Sequence, residues 1–175
     1  MLAAVREVAA TLARLHSHLG EDLVDQSDLP KRRASRAAPW LSRIVPEAAT
    51  LFAARLHHGE EASARGETVL VHGDLKPEHL LVDGGASTLI DLDSSGSGRA
   101  SSDLAALVVR LEDSAAAALL LDEYQSRAGP LDEWTWSRDW ALASLKFALY
   151  HAQHQTQGWR DAVVRIAEAD PPPLS

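Results

Sequence analysis

Cysteine is absent from the chain, so neither a disulfide framework nor a thiolate metal site is available to it. Aromatic residues make up only 5%, and methionine occurs once. Lysine is almost as scarce: Lys31, Lys76 and Lys146 are the three in 175 residues. The formal net charge of -8 leaves no broad basic footprint of the kind that nonspecific nucleic-acid binding requires. No apolar run approaches the roughly 20 residues of a membrane span, and the amino terminus lacks a basic-then-apolar export signal. These absences predict a cytoplasmic protein with no nucleic-acid or membrane partner. What is present, 46% hydrophobic and 24% charged residues, is the composition of an ordinary globular chain with enough apolar material for one core.

Apolar residues at three-to-four spacing (Leu2, Val5, Val8, Leu12, Leu15, Leu19) predict an amphipathic helix closed by Gly20. Residues 21–38, with the run Lys31-Arg32-Arg33, read as a polar loop or short irregular helix. A second helix is expected over 39–57, with Pro46 near its first turn or kinking it. The period then changes. Residues 68–71 and 79–82 are short apolar runs of strand type, Asp83-Gly84-Gly85-Ala86 is a hairpin turn, and 87–90 is the return strand. The Gly- and Ser-rich stretch 94–101 reads as a loop, after which Ser101 or Ser102 can cap a helix starting at Asp103. Helical patterns follow at 114–127, 131–155 and 159–169. The expected organisation is a single domain over 1–170 with a Pro-rich tail, 171–175.

The chemistry concentrates in Val71-His72-Gly73-Asp74-Leu75-Lys76-Pro77-Glu78-His79 and, after the hairpin, Leu89-Ile90-Asp91-Leu92-Asp93. This spacing brings a loop carboxylate, Asp74, close to a strand-end carboxylate, Asp91, beside Lys76 and His79. Such a set suits holding a metal-bound phosphate and orienting an acceptor. Two histidine pairs, His57-His58 and His151-x-x-His154, lack a supporting acid and read as solvated side chains rather than metal ligands.

These residues resemble the aminoglycoside phosphotransferase and choline kinase family, which shares the protein-kinase-like fold. His72-Gly73-Asp74 through His79 follows the family loop His-x-Asp-x-x-x-x-Asn at all but its last position. Ile90-Asp91-Leu92-Asp93 follows the metal-binding strand end, Asp103-Leu104-Ala105 the following helix start, and Leu12-Ala13-Arg14-Leu15-His16 the upstream helix. The resemblance implies an α+β, mainly α-helical fold equivalent to the carboxy-terminal lobe, with a small central β-hairpin and without the amino-terminal nucleotide lobe. It implies that Asp74 is the catalytic or acceptor-orienting carboxylate, and that Asp91 binds the metal, with Asp93 as an additional contact. His72 and Asp103 would hold the loop's shape from beneath, and Lys76 would contact the γ-phosphate.

His79 stands where the family has Asn. Imidazole can ligate a divalent ion, but magnesium prefers oxygen donors, so manganese is the alternative cation. The matches begin almost at Met1, which leaves no upstream room for the lobe that grips ATP or GTP. The implied activity, transfer of a nucleotide γ-phosphate to a small-molecule hydroxyl, then calls for a nucleotide lobe from a partner chain or homo-oligomer, or marks its loss by truncation. Two other readings stay open: a lobe repurposed for nucleotide-free acid–base chemistry by Asp74 and His79, needing no cofactor, and a noncatalytic pseudokinase-like binding module. On the acceptor side, Trp134, Trp136 and Trp140 interleave with Asp132, Glu133 and Asp139, which suits a cationic or sugar-like ligand. Trp136 and Trp140, with Phe147 and Tyr150, fall near one helix face, where core packing is the alternative.

Overall fold

A computed structural model describes residues 2–19, 23–25, 39–58 and 68–174. The first amphipathic stretch forms α1 (Leu2–His16), which buries Val8, Ala9, Leu12 and His16. It ends before Gly20, which lies outside the described residues, as does most of the 21–38 stretch with its basic run. Residues 39–44 form a helical segment, α2, and Pro46 opens α3 (Pro46–His58) after a break at Val45. The first position is where the missing proline N–H removes no helical bond.

Two small antiparallel sheets follow. In one, β2 (Leu80–Asp83) and β3 (Ala86–Leu89) form the expected hairpin, with Asp83 opposite Ala86 across Gly84–Gly85. In the other, β1 (Val69–Val71) pairs with β4 (Gly96–Gly98), Val69 facing Gly98. The loop expected over 94–101 is therefore corrected: its centre is a buried strand. Its small residues permit close approach, since a Cβ on Gly98 would lie 2.8 Å from Cγ2 of Val71. The helix after it, α4 (Ala100–Val108), starts three residues before the expected position. Ser102 Oγ donates to the Arg99 carbonyl and Ser101 Oγ to Asp139, so neither serine caps the helix.

α5 (Ser114–Ala128) and α6 (Glu133–His154) are capped by Asp113 and Asp132, whose carboxylates accept backbone N–H bonds in the first turn. α7 (Trp159–Glu168) is the last helix among the described residues. Among the described residues the buried apolar side chains form two clusters, one between α1, α4, α5 and the first half of α6, the other between α2, α3, α7 and the second half of α6. At 22 residues α6 is about 33 Å long, enough to serve both. The carboxy-terminal tail packs back: Leu174 lies against the first cluster, and the Pro172 carbonyl accepts from Trp136 Nε1 at 3.0 Å. No helix among the described residues is long and apolar enough to cross a membrane.

Candidate active site

The loop from β1 to β2 is shaped from beneath by one buried carboxylate. Asp103, in the first turn of α4 and 1% exposed, accepts the backbone N–H of His72 at 2.6 Å and of Gly73 at 3.0 Å. Its Oδ2 also faces His16 Nε2 at 3.3 Å, and the other ring nitrogen of His16 meets the Tyr124 hydroxyl at 2.9 Å. A charge this deep is tolerated because several donors converge on it. Burial foremost, then the neighbouring charge of Asp103, pushes the Tyr124 hydroxyl up to about 12. Gly73 adopts φ +80, and its α-carbon sits so close to Ser94 that a Cβ would lie 2.1 Å from that carbonyl oxygen.

His72 is fully buried. Its Nε2 donates to the Ile90 carbonyl at 2.9 Å, and its ring stacks on that of His79 at 5.2 Å between centroids, so the imidazole ties the loop to the strand end. His79 closes a 3-10 turn over Pro77–His79, and its carbonyl accepts the N–H of Ile90 at 3.1 Å. Its Nε2 reaches Asp91 Oδ2 at 3.2 Å, while its Nδ1 is buried with no partner among the described residues. Asp91 is in the left-handed region at φ 61, a conformation aspartate tolerates better than most residues. Asp93, in the next turn, is exposed.

Asp74 is held by two ammonium groups. Lys76 Nζ lies 2.8 Å from Oδ2, and Lys146 Nζ, from the middle of α6, donates to Oδ1. Burial by itself raises this carboxyl, but the bonds and charges of Lys146 and Lys76 outweigh it and bring the pKa down to about 2. Arg110, just past α4, adds a further cation: burial lowers its guanidinium, against the opposing pull of Asp74, Glu78 and Tyr150. Neither Lys146 nor Arg110 is marked as a site residue by any local pattern. The scarcity of lysine is the one signal that could have raised Lys146.

The two carboxylates of the motif thus have separate partners, Asp74 the lysines and Asp91 the imidazole of His79. For a divalent cation the donors at hand are Asp91, His79 and Asp93, and among the described residues no group of three or more such side chains is arranged to hold a metal ion. A magnesium ion carried on nucleotide phosphates needs only one or two protein carboxylates, so Asp91 fits that use, and the imidazole suits manganese better than magnesium.

The aromatic stretch separates. Trp134 is exposed. Trp136 and Trp140 are buried in the first cluster, with Trp140 Nε1 donating to the Ala169 carbonyl at 3.1 Å. Asp139 is 2% exposed and takes both Arg99 Nη2 at 2.7 Å and Arg99 Nε at 3.0 Å, with Ser101 Oγ at 2.6 Å. Of the histidine pairs, His151 meets Thr156 Oγ1 at 2.8 Å and His154 the Tyr150 carbonyl at 2.9 Å.

A helical lobe carrying a His-x-Asp loop, a hairpin and a second aspartate at the strand end is the carboxy-terminal lobe of a kinase-like fold. The chain belongs to the phosphotransferase enzyme family, whose model matches residues 2–145. Among solved structures it is similar to a macrolide 2'-phosphotransferase type I, at 18% identity and a TM-score of 0.63 over 94% of this chain and 58% of that one. It is also similar to APH(2")-IIa in complex with gentamicin (15% identity, TM-score 0.58, 95% of this chain and 61% of that one). A third is ADP-bound aminoglycoside phosphotransferase APH(2'')-Ib, at 15% identity and a TM-score of 0.56 over 95% and 62%. The chain therefore spans about three-fifths of the length of these proteins. No curated protein sequence matches it significantly.

Proposed function

We propose that this chain is the acceptor-binding, catalytic-loop lobe of a small-molecule phosphotransferase, moving the γ-phosphate of ATP or GTP to a hydroxyl in the cytoplasm. The nucleotide-gripping lobe would come from other polypeptide sequence, in the same protein or a partner. The observation that carries the reading is Asp103: by holding the amides of His72 and Gly73 it sets the loop from which Asp74 meets its lysines. In a loose phosphoryl-transfer transition state the acceptor needs orientation more than strong base catalysis. A carboxylate kept ionised at all ordinary pH values accepts a hydrogen bond from the acceptor hydroxyl, since each oxygen has more than one acceptor site. Lys76 and Lys146 stand beside it as point charges for the transferred phosphoryl group. A divalent cation, when bound, would be held by Asp91 with His79 and Asp93 in reach, and would offset charge on the phosphates.

The test is transfer of labelled γ-phosphate from ATP or GTP, with magnesium or manganese and the complementary nucleotide lobe, to a panel of hydroxyl-bearing compounds. Transfer that is lost in Asp74→Asn supports the reading. No transfer to any acceptor with the lobe present overturns it.

The His79–Asp91 contact favours a second reading, acid–base chemistry on a small molecule without nucleotide, because a carboxylate that orients an imidazole is a common proton-transfer pair. Turnover of a substrate that survives chelator and needs no nucleotide would select it. A chain with neither activity that binds a partner equally well as Asp74→Asn is the noncatalytic module.

A further inference from the structure

We propose that the cleft between α4, α6 and α7 receives an acceptor that carries an acid group on an apolar body; this narrows the phosphotransferase reading and rests on it. The cleft measures about 420 Å³, room for a small molecule. Its walls include Val108, Trp140, Phe147 and Ile166, and its charged lining is dominated by Arg110 and Arg165. The lining carboxylate, Glu112, is exposed to solvent.

The guanidinium of Arg110 lies over the Phe147 ring, 5.1 Å from its centroid, and gives the Ala106 carbonyl one of its five N–H donors. A planar donor fork stacked on an aromatic wall is suited to gripping a carboxylate or phosphate. A second observation points the same way. His151, also in the lining, binds its proton less readily than usual, first because it is partly buried and then because Arg110 and Arg165 repel the charge. The imidazole thus registers the positive potential of the cleft.

The cleft communicates with the loop that carries Asp74 through Arg110. Arg110 feels the charges of Asp74 and Glu78, and Lys146, whose ammonium sits on Asp74, immediately precedes Phe147 on α6. An acceptor seated in the cleft would present its hydroxyl to Asp74 beside Arg110 and Lys146, both cations. A polycation placed there meets like charge. Of the acidic residues interleaved with the tryptophans, Asp132 caps α6 and Asp139 is taken up by Arg99, while Glu133 is exposed on the first turn of α6. Selectivity for an acid follows from what occupies the site, whatever hydroxyl the acid bears.

Two probes with the same phenol ring and opposite charge test this: 4-hydroxyphenylacetate and tyramine, titrated against the full chain without nucleotide while the His151 imidazole is followed by NMR. The acid is expected to bind in the millimolar range or tighter and to raise the pH at which His151 takes up its proton. Tyramine should bind at least about tenfold more weakly. Arg165→Gln, at an exposed position that leaves the core intact, should cut affinity for the acid roughly fivefold. Equal or tighter binding of tyramine, acid binding indifferent to Arg165→Gln, or no acid binding at millimolar concentration overturns the proposal. Because no nucleotide is present, acid selectivity combined with failed phosphate transfer removes only the phosphotransferase reading. Transfer to polycationic acceptors alone removes only the acid-acceptor proposal.

Discussion

Lys146 in α6 donates to Asp74 Oδ1 across 72 positions of sequence, while Lys76, two residues from Asp74, takes Oδ2 at 2.8 Å. Two of the three lysines in the chain thus meet on one carboxylate. Helix α6 is thereby tied to the loop between β1 and β2 by a partly buried ion pair.

Removing Lys146 should loosen this tie and release the carboxyl. The depressed pKa of Asp74, about 2 against an ordinary value of 3.8, contributes stability that is fully present above 3.8 and is lost as pH falls from there toward 2. In Lys146→Met the Asp74 carboxyl should titrate at higher pH, read from its carbon-13 shift, and the acid-side loss of stability should shrink. An unchanged Asp74 titration would show that Lys76 alone sets the pKa.

Gly73→Ala should destabilise the loop by about 3 kcal/mol or more, because both the positive φ and the approach to the Ser94 carbonyl oppose a side chain. Urea unfolding checks the magnitude, and hydrogen exchange of the His72 and Gly73 amides should rise with it.

Tyr124 should form its phenolate only near pH 12, seen by ultraviolet absorbance, and Tyr124→Phe should abolish that late step. The sign follows from a pKa raised in the folded state: the contribution is present below the ordinary value of 10.0 and disappears as pH rises toward 12. At neutral pH the substitution should cost about 1 kcal/mol for the lost bond to His16.

Asp139→Ala removes the carboxylate that accepts from Arg99 Nε and Nη2 and from Ser101 Oγ, in a position 2% exposed. A loss of roughly 3–5 kcal/mol in thermal or denaturant unfolding is expected. A loss below about 1 kcal/mol would mean that Arg99 finds water instead.

Legibility in the sequence followed the range of the interactions. The hairpin was readable because Gly84-Gly85 lies between two apolar runs, and turn chemistry needs only its own residues. The helices of the carboxy-terminal half were readable from their period. β4 was missed because Gly96-Ser97-Gly98 has loop composition; it is a strand through pairing with Val69–Val71 and through the close fit of Gly98 under Val71. The aspartates between the tryptophans resembled a ligand-facing set, yet Asp139 faces Arg99, 40 residues away, which no spacing within 132–140 can reveal.

By itself the sequence determined the hairpin and most of the helices, the family, and the two motif carboxylates with their order along the chain, since these depend on periodicity, turns and short motifs within a few residues. Only the tertiary structure decided which cations reach Asp74, that Asp91 meets an imidazole, and that the cleft beside the loop is lined by Arg110 and Arg165. Those outcomes rest on charges brought together from separate helices, and electrostatic pairing is governed by distance in space and by burial, neither of which a linear chain displays.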